Sequence, residues 1–376
     1  MKFNYNLPVN LVFGRGRVSE VGNIAADYGK KALIVTGKSS TKKSGVLDKV
    51  IFSLKKAGVE HAVYDKVSQN PLTVTAMEGV EFVQSQGCDV IIGLGGGSIM
   101  DCAKAIAFMC SNTGDINDYI FNKIMGTESL PLILIPTTCG TGSEGNGFAV
   151  LTNPENGDKK SLRSNAIVAK ASIIDSELMQ TMPKEILASV GFDALCHAME
   201  AYVSRISQPL SDYMCVEAIR LISENLVKIY DGSQDGKAWD AVTWSSTIGG
   251  MVIHTAGVAL PHGMEHPASG LRNIVHGRGL AALTPVITDA SCMGNKEKYS
   301  RISRLLGGAS VVDCGDSIRR LLEKLYLLIN LSSQGITRED IPWMTENCFK
   351  VSGASIANHP VTFDYEEIGK LYEKVI

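Results

Sequence analysis

The segment CDVIIGLGGGSIMDCAKAIAFM (88–109) constrains the fold more than any other. Its short apolar, β-branched run reads as a strand buried on both faces. The run passes into Gly93-Leu94-Gly95-Gly96-Gly97-Ser98 and then into a helical pattern over 99–109. A strand turning on glycines into a helix belongs to an α/β layer fold with a parallel sheet. The N-terminus of that helix offers unpaired N–H groups and the positive dipole end, which suit a phosphate, and glycines let the backbone come close. The spacing is G-x-G-x-G, so the G-x-G-x-x-G dinucleotide fingerprint is absent, as is a phosphate loop closed by Lys-Ser/Thr. A tight turn without a ligand carries the same pattern.

The rest of the first half repeats the alternation. KALIVTG (31–37), HAVYDKV (61–67) and PLILIPTT (131–138) read as strands, with helices expected over 47–57 and 74–86. GFAVLTN and SNAIVAKASIID flank the polar NPENGDKK and read as the two strands of a ribbon. From Met182 onward helical periodicity dominates. We therefore expect an α/β dinucleotide-binding domain over 1–180 and an all-helical domain over 181–376, two domains being usual for 376 residues.

Two patches carry candidate chemistry beyond the glycine turn. PTTCGTGSE (136–144) follows a buried strand, where open α/β sheets place their ligands, and its hydroxyls and glycines suit either a cofactor or a helix cap. Asp193 and His197 lie four residues apart in a helical pattern and share one face. His262 and His266 repeat that spacing, and His276 follows ten residues later. One carboxylate with several imidazoles suits Fe(II) or Zn(II) and not Mg or Ca, which prefer oxygen. Asp-x-x-x-His alone is equally a surface pair, and spacing does not bring distant segments together.

Charge and composition narrow the partners. With 36 Lys+Arg against 39 Asp+Glu, the chain has a net charge of −3 and no block of like charge, so a nucleic-acid or membrane-surface binder is not expected. No signal-peptide pattern opens the sequence, and no run reaches the ~18 apolar residues of a membrane span. The 9 Cys form no C-x-x-C pair, which disfavours a zinc ribbon or a disulfide framework. A cytoplasmic protein is expected.

Six segments in order resemble the iron-containing alcohol dehydrogenase family along essentially the whole chain: LVFGRGRV, QNPLTVTAMEGV, GLGGGSIMDCAKAIA, PTTCGTGSE, GFDALCHAMEAYVS and PHGMEHPASGLRNIVHGRGLAALTP. The resemblance implies an N-terminal dinucleotide-binding domain, a C-terminal helical domain and a cleft between them, an architecture similar to dehydroquinate synthase. It implies that Asp193, His197, His262 and His276 hold the metal, Fe(II) or Zn(II), and that His266 stands near the nicotinamide without ligating. His266 is accordingly the candidate proton relay. Gly95, Gly96, Gly97 and Ser98 would hold the pyrophosphate, with Asp101 in the first turn. Asn70, Thr137, Thr138 and Lys160 would complete the cofactor site, and Phe148 would face the nicotinamide or substrate.

Departures from the family pattern point to a butanol-dehydrogenase-like branch. Val275-His276-Gly277 stands where many members have Pro-His-Gly, and Pro-Ala-Ser-Gly follows His266 in place of Pro-Leu-Gly-Gly. Several NAD-preferring relatives have Asp at the position of Gly37, where a carboxylate would repel a 2′-phosphate. Gly37 followed by Lys38 and Ser39 leads us to expect NADP(H) over NAD(H). The expected substrate is a small primary alcohol or aldehyde, and a homodimer is the family expectation. Glycerol-dehydrogenase-like polyol oxidoreductases and dehydroquinate-synthase-like lyases share this architecture and remain alternatives. The lyase needs a dense cationic pocket, and only Arg272 and Arg278 flank the ligand segment.

Overall fold

The computed structural model describes residues 3–376. Its first half is built on eight strands: β1 (Asn10–Phe13), β2 (Lys31–Gly37), β3 (Glu60–Val67), β4 (Val90–Gly95), β5 (Leu132–Pro136), β6 (Phe148–Thr152), β7 (Lys159–Arg163) and β8 (Ala171–Ile174). Six form one sheet in the order β1-β8-β5-β4-β2-β3, with every pair parallel. Helices α1 (Val21–Ala26), α2 (Ser40–Lys43), α3 (Val46–Lys56), α4 (Thr73–Gln86), α5 (Gly97–Met109) and α6 (Ile116–Ile120) connect them.

Strand periodicity explains why both sheet faces are covered. Leu33, Val35, Ile91, Leu132 and Leu134 point into one core with α4 and α5. Ala32, Ile34, Ile92, Leu94, Ile133 and Ile135 point into the other with α1 and α3. The chain runs outward from β2 to β3, then returns to the other side of β2 for β4, β5 and β8. The order reverses between β2 and β4, so their carboxyl ends, Gly37 and Gly95, flank the crevice where such sheets bind ligands.

The ribbon differs from expectation. β6 pairs antiparallel with β7, so the second ribbon strand begins at Lys159 within the stretch read as a turn. Ala171–Ile174 instead joins the main sheet between β1 and β5. All four of its residues are buried, as a strand covered on both faces requires, whereas only Lys159 and Leu162 of β7 are buried.

After Ile174 no strand occurs among the described residues. The helices are α7 (Lys184–Val203), α8 (Pro209–Tyr230), α9 (Gly236–Ala256), α10 (Leu260–Arg272), α11 (His276–Ser291), α12 (Lys296–Leu305), α13 (Cys314–Lys324), α14 (Ile341–Asn358) and α15 (Tyr365–Glu373). α7 is long and apolar enough to cross a membrane, but 89% of its apolar window is buried inside the fold. It is the central helix of the largest core, packed against α8, α9 and α11.

Candidate active site

Because α7 is buried on nearly every side, its polar residues are informative. Asp193, His197 and Glu200 share one face by spacing and all are buried. α10 carries His262, Glu265, His266 and Ser269 in the same way, and His276 opens α11. Pro267 lacks the N–H that the Gly263 carbonyl would accept within α10, and Cys348 Sγ donates to that carbonyl at 3.3 Å.

Three imidazoles converge on one carboxylate oxygen. The Nε2 atoms of His262, His197 and His276 lie 3.4, 3.6 and 3.7 Å from Asp193 Oδ1. Donor atoms of Asp193, His262 and His276 all fall within 4.8 Å of one another. Each ring's other nitrogen is engaged. His262 Nδ1 donates to Glu200 Oε1 at 2.6 Å, His276 Nδ1 to Glu265, and His197 Nδ1 to the Gly140 carbonyl at 3.4 Å. Those partners accept, so Nδ1 carries the hydrogen and Nε2 turns toward Asp193. Glu200 Oε2 also accepts from the Ala259 N–H at 2.7 Å, capping the start of α10.

Asp193 Oδ1 and His262 Nε2 are buried with no hydrogen-bond partner. Buried polar atoms of a folded chain rarely stay unmet. One carboxylate oxygen and three imidazole nitrogens fit a divalent transition ion. The carboxylates make the site favour positive charge. Burial alone would raise the Asp193 carboxyl, but His197, His276 and His262 outweigh it and hold it well below the usual carboxylate range. Burial would likewise depress His262, yet Glu200 and Asp193 lift it to about 10. Burial, reinforced by the neighbouring imidazoles, takes His197 down to about 4.

These groups open into a cleft of about 800 Å³, part of which is open to solvent. Of the residues expected in the site, Asn70, Gly97, Ser98, Asp101, Phe148, His266 and all four metal candidates line it. Gly37, Lys38, Ser39, Gly95, Gly96, Thr137 and Thr138 do not. They sit at or just beyond the ends of β2, β4 and β5, and Thr138 Oγ1 lies 3.1 Å from where a Cβ on Gly96 would stand. The α5 N-terminus has no side-chain cap, which leaves its N–H groups free for an anion. A Cβ on Gly97 would come 2.3 Å from Thr141 Cγ2, so only glycine fits that turn. Asp101 is already engaged, accepting from Ser143 Oγ at 2.6 Å and the Val150 N–H at 3.0 Å. Burial, chiefly, drives the His266 pKa well below its ordinary value, and Lys159 adds to this.

Lys160 requires a correction. Its Nζ donates to the Val351 carbonyl at 2.8 Å and lies over the Phe121 ring, and it does not line the cleft. Its neighbour Lys159 does, donating to Asn70 Oδ1 at 3.0 Å and pairing with Glu265 at 3.5 Å. Alternate residues of a strand face opposite sides, so one position decides which lysine enters the site. Sequence reasoning also passed over Glu200 and Glu265. The available signal was their place on the same helix faces as His197 and His262.

Family models match both halves of the chain: iron-containing alcohol dehydrogenase over residues 8–176, and the C-terminal region of the Fe-containing alcohol dehydrogenase family over 187–376. The chain belongs to the iron-containing alcohol dehydrogenase family. The dehydrogenase is 32% identical to 1,3-propanediol dehydrogenase of Citrobacter freundii, over 99% of this chain and 98% of that one. It is 29% identical to the NADPH-dependent butanol dehydrogenase of Clostridium saccharobutylicum, over 99% and 97%. The crystal structure of an archaeal alcohol dehydrogenase from a Red Sea brine pool superposes with a TM-score of 0.96 at 33% identity, covering 100% of this chain and 99% of that one. The dehydrogenase is therefore an oxidoreductase acting on CH–OH groups, and its family implies iron together with NAD(H) or NADP(H).

Proposed function

We propose that the chain interconverts small primary alcohols and aldehydes, with NADP(H) preferred over NAD(H). The observation that carries this reading is the convergence of His197, His262 and His276 Nε2 on Asp193 Oδ1, inside the cleft that also receives the glycine turn. Asp193, His197, His262 and His276 hold the metal. Residues 1–180 serve the nucleotide and 181–376 the metal.

When bound between Asp193, His197, His262 and His276, the metal would supply Lewis acidity for the substrate oxygen, and a nicotinamide cofactor would supply the hydride chemistry. The chain's own residues do the rest. Ser98 and the free N–H groups of α5 bind the pyrophosphate, and Asn70 and Lys159 orient the ribose beside it. Phe148, Val150, Ile253 and Val258 form an apolar wall that suits a short carbon chain and excludes water. His266, whose ring centre lies 6.4 Å from that of His262 and 5.9 Å from that of His276, stays neutral and passes on the proton exchanged with the substrate oxygen. NADP(H) preference rests on Gly37, where no carboxylate opposes a 2′-phosphate, and on exposed Lys38 and Ser39 beside it. Nine free cysteines accord with a reducing cytoplasm. β1, at the sheet edge, offers unpaired backbone groups to a second copy, in keeping with a homodimer.

The test is metal content of purified protein together with butanal reduction by NADPH before and after chelation. One metal per chain, with activity lost on chelation and restored by Fe(II) or Zn(II), supports the reading. Full activity in metal-free protein overturns it.

A further inference from the structure

Arg163 ends β7 directly opposite Phe148 of β6, and its guanidinium lies 4.8 Å from the Phe148 ring centre. It shares a strand face with Lys159 and Ser161 and, with them, borders the metal-bearing cleft. Arg163 also borders two adjoining cavities, one beside Met125 and His254 and one beside Arg205 and Ser355. Arg163 is exposed where these three spaces meet.

The other charges there are committed. Lys159 is paired with Glu265, Asp101 accepts from Ser143 and Val150, and Asp193 faces the imidazoles. Arg15, Arg272 and Arg319 each have a carboxylate partner. Among the described residues Arg163 has none, and it donates no hydrogen bond. An aromatic face attracts a guanidinium but accepts few of its five N–H donors. The guanidinium therefore stands at the cleft with N–H donors left over for an anion. Burial accordingly lowers the Arg163 pKa, with no acid opposing it. Gly97 and Ser98 border only the metal-bearing cleft, whereas Arg163 borders that cleft and both adjoining cavities, so its guanidinium reaches space that the glycine turn does not.

We propose that Arg163 selects aldehydes and alcohols carrying an oxyanion, a carboxylate or phosphonate, at the end of a short chain remote from the reacting carbon. The proposal rests on the alcohol–aldehyde reading above and names its substrate class. The apolar wall holds the methylenes, and the planar guanidinium takes the oxyanion through paired N–H donors.

The test compares 4-oxobutanoate, 3-oxopropylphosphonate and butanal as substrates of the iron-loaded enzyme with NADPH, in the parent and in Arg163→Met and Arg163→Lys. The parent should favour at least one anionic aldehyde over butanal by about tenfold or more in kcat/KM. Arg163→Met should collapse that ratio, with the loss concentrated in KM for the anionic substrate, and Arg163→Lys should recover part of it. The two anionic aldehydes distinguish carboxylate from phosphonate. Calorimetric titration of succinate should show binding to the parent and about tenfold or weaker binding to Arg163→Met, whatever the turnover. Equal use of butanal by the parent, or parallel loss on all substrates in Arg163→Met, overturns the proposal. If the parent reduces no aldehyde yet still binds succinate through Arg163, the alcohol–aldehyde reading fails and anion recognition stands.

Discussion

Lys159 of the ribbon and Glu265 of α10 form a buried ion pair at 3.5 Å, with side chains 6% and 0% exposed. The pair ties the nucleotide side of the cleft to the metal side, because Glu265 also accepts from His276 Nδ1 and Lys159 donates to Asn70. Burial alone would raise the Glu265 carboxyl, but His276 and Lys159 outweigh it and hold it well below the usual range. Glu265→Gln keeps the shape and removes the charge. We expect metal affinity to fall about 10–100-fold, as for other outer partners of metal-bound histidines, and the KM for cofactor to rise with it. Competition against a chelator of known affinity checks the first, and unchanged metal affinity would remove Glu265 from the site.

The glycine turn makes a steric prediction. Gly97→Ala places a Cβ 2.3 Å from Thr141 Cγ2 at the helix N-terminus that faces the cleft. Cofactor Kd, read from quenching of protein fluorescence, should rise on the order of tenfold or more, which corresponds to about 1.4 kcal/mol. Thr141→Ala in the same chain should recover part of the loss. No recovery would mean that the methyl itself, and not Thr141, disturbs the anion site.

Cofactor choice is testable at one position. A Cβ on Gly37 meets Ile99 Cδ1 at 3.5 Å and the Val67 carbonyl at 3.7 Å, ordinary contacts that leave room for a larger side chain. Gly37→Asp should lower kcat/KM for NADPH and shift selectivity toward NADH by about tenfold or more, since opposed like charges cost several kcal/mol. Ratios of initial rates with the two cofactors decide it. An unchanged ratio would place the selectivity elsewhere.

Lys104 gives the pH prediction. It is wholly buried, and its Nζ lies 2.6–3.0 Å from the Ser143 carbonyl and hydroxyl, the Asn146 side-chain oxygen and the Phe148 carbonyl. Burial lowers its pKa to about 8, against the pull of Asp101 and Glu144. Below pH 8 the folded state bears the full cost of a buried cation. Between there and the unfolded value near 10.4 that cost is relieved, so this term favours folding as pH rises. Lys104→Met strands the acceptors and should destabilise by about 1–3 kcal/mol for each group left unmet. The stability gap between parent and variant, read by urea unfolding, should widen from pH 7 to pH 10. A constant or narrowing gap would mean that Lys104 does not titrate in this window.

The sequence by itself determined the class of fold and the ligand candidates. Continuous apolar runs such as Val90–Gly95 imply a parallel sheet covered on both faces, because burial on both sides tolerates them. Helical spacing put Asp193 with His197, and His262 with His266, before any contact was visible. Only the tertiary structure decided what those residues meet. That α7, α10 and α11 bring four side chains to one point, and that Glu200 and Glu265 fix the imidazoles from behind, are contacts between segments 60 or more residues apart for His262–Glu200 and across a turn for His276–Glu265. Local periodicity carries no information about such approaches. The choice of Lys159 over Lys160 and the assignment of β7 over β8 to the ribbon have a related cause. A strand's two faces differ by a single residue, and in a polar strand such as β7 the face that is buried depends on what packs against it.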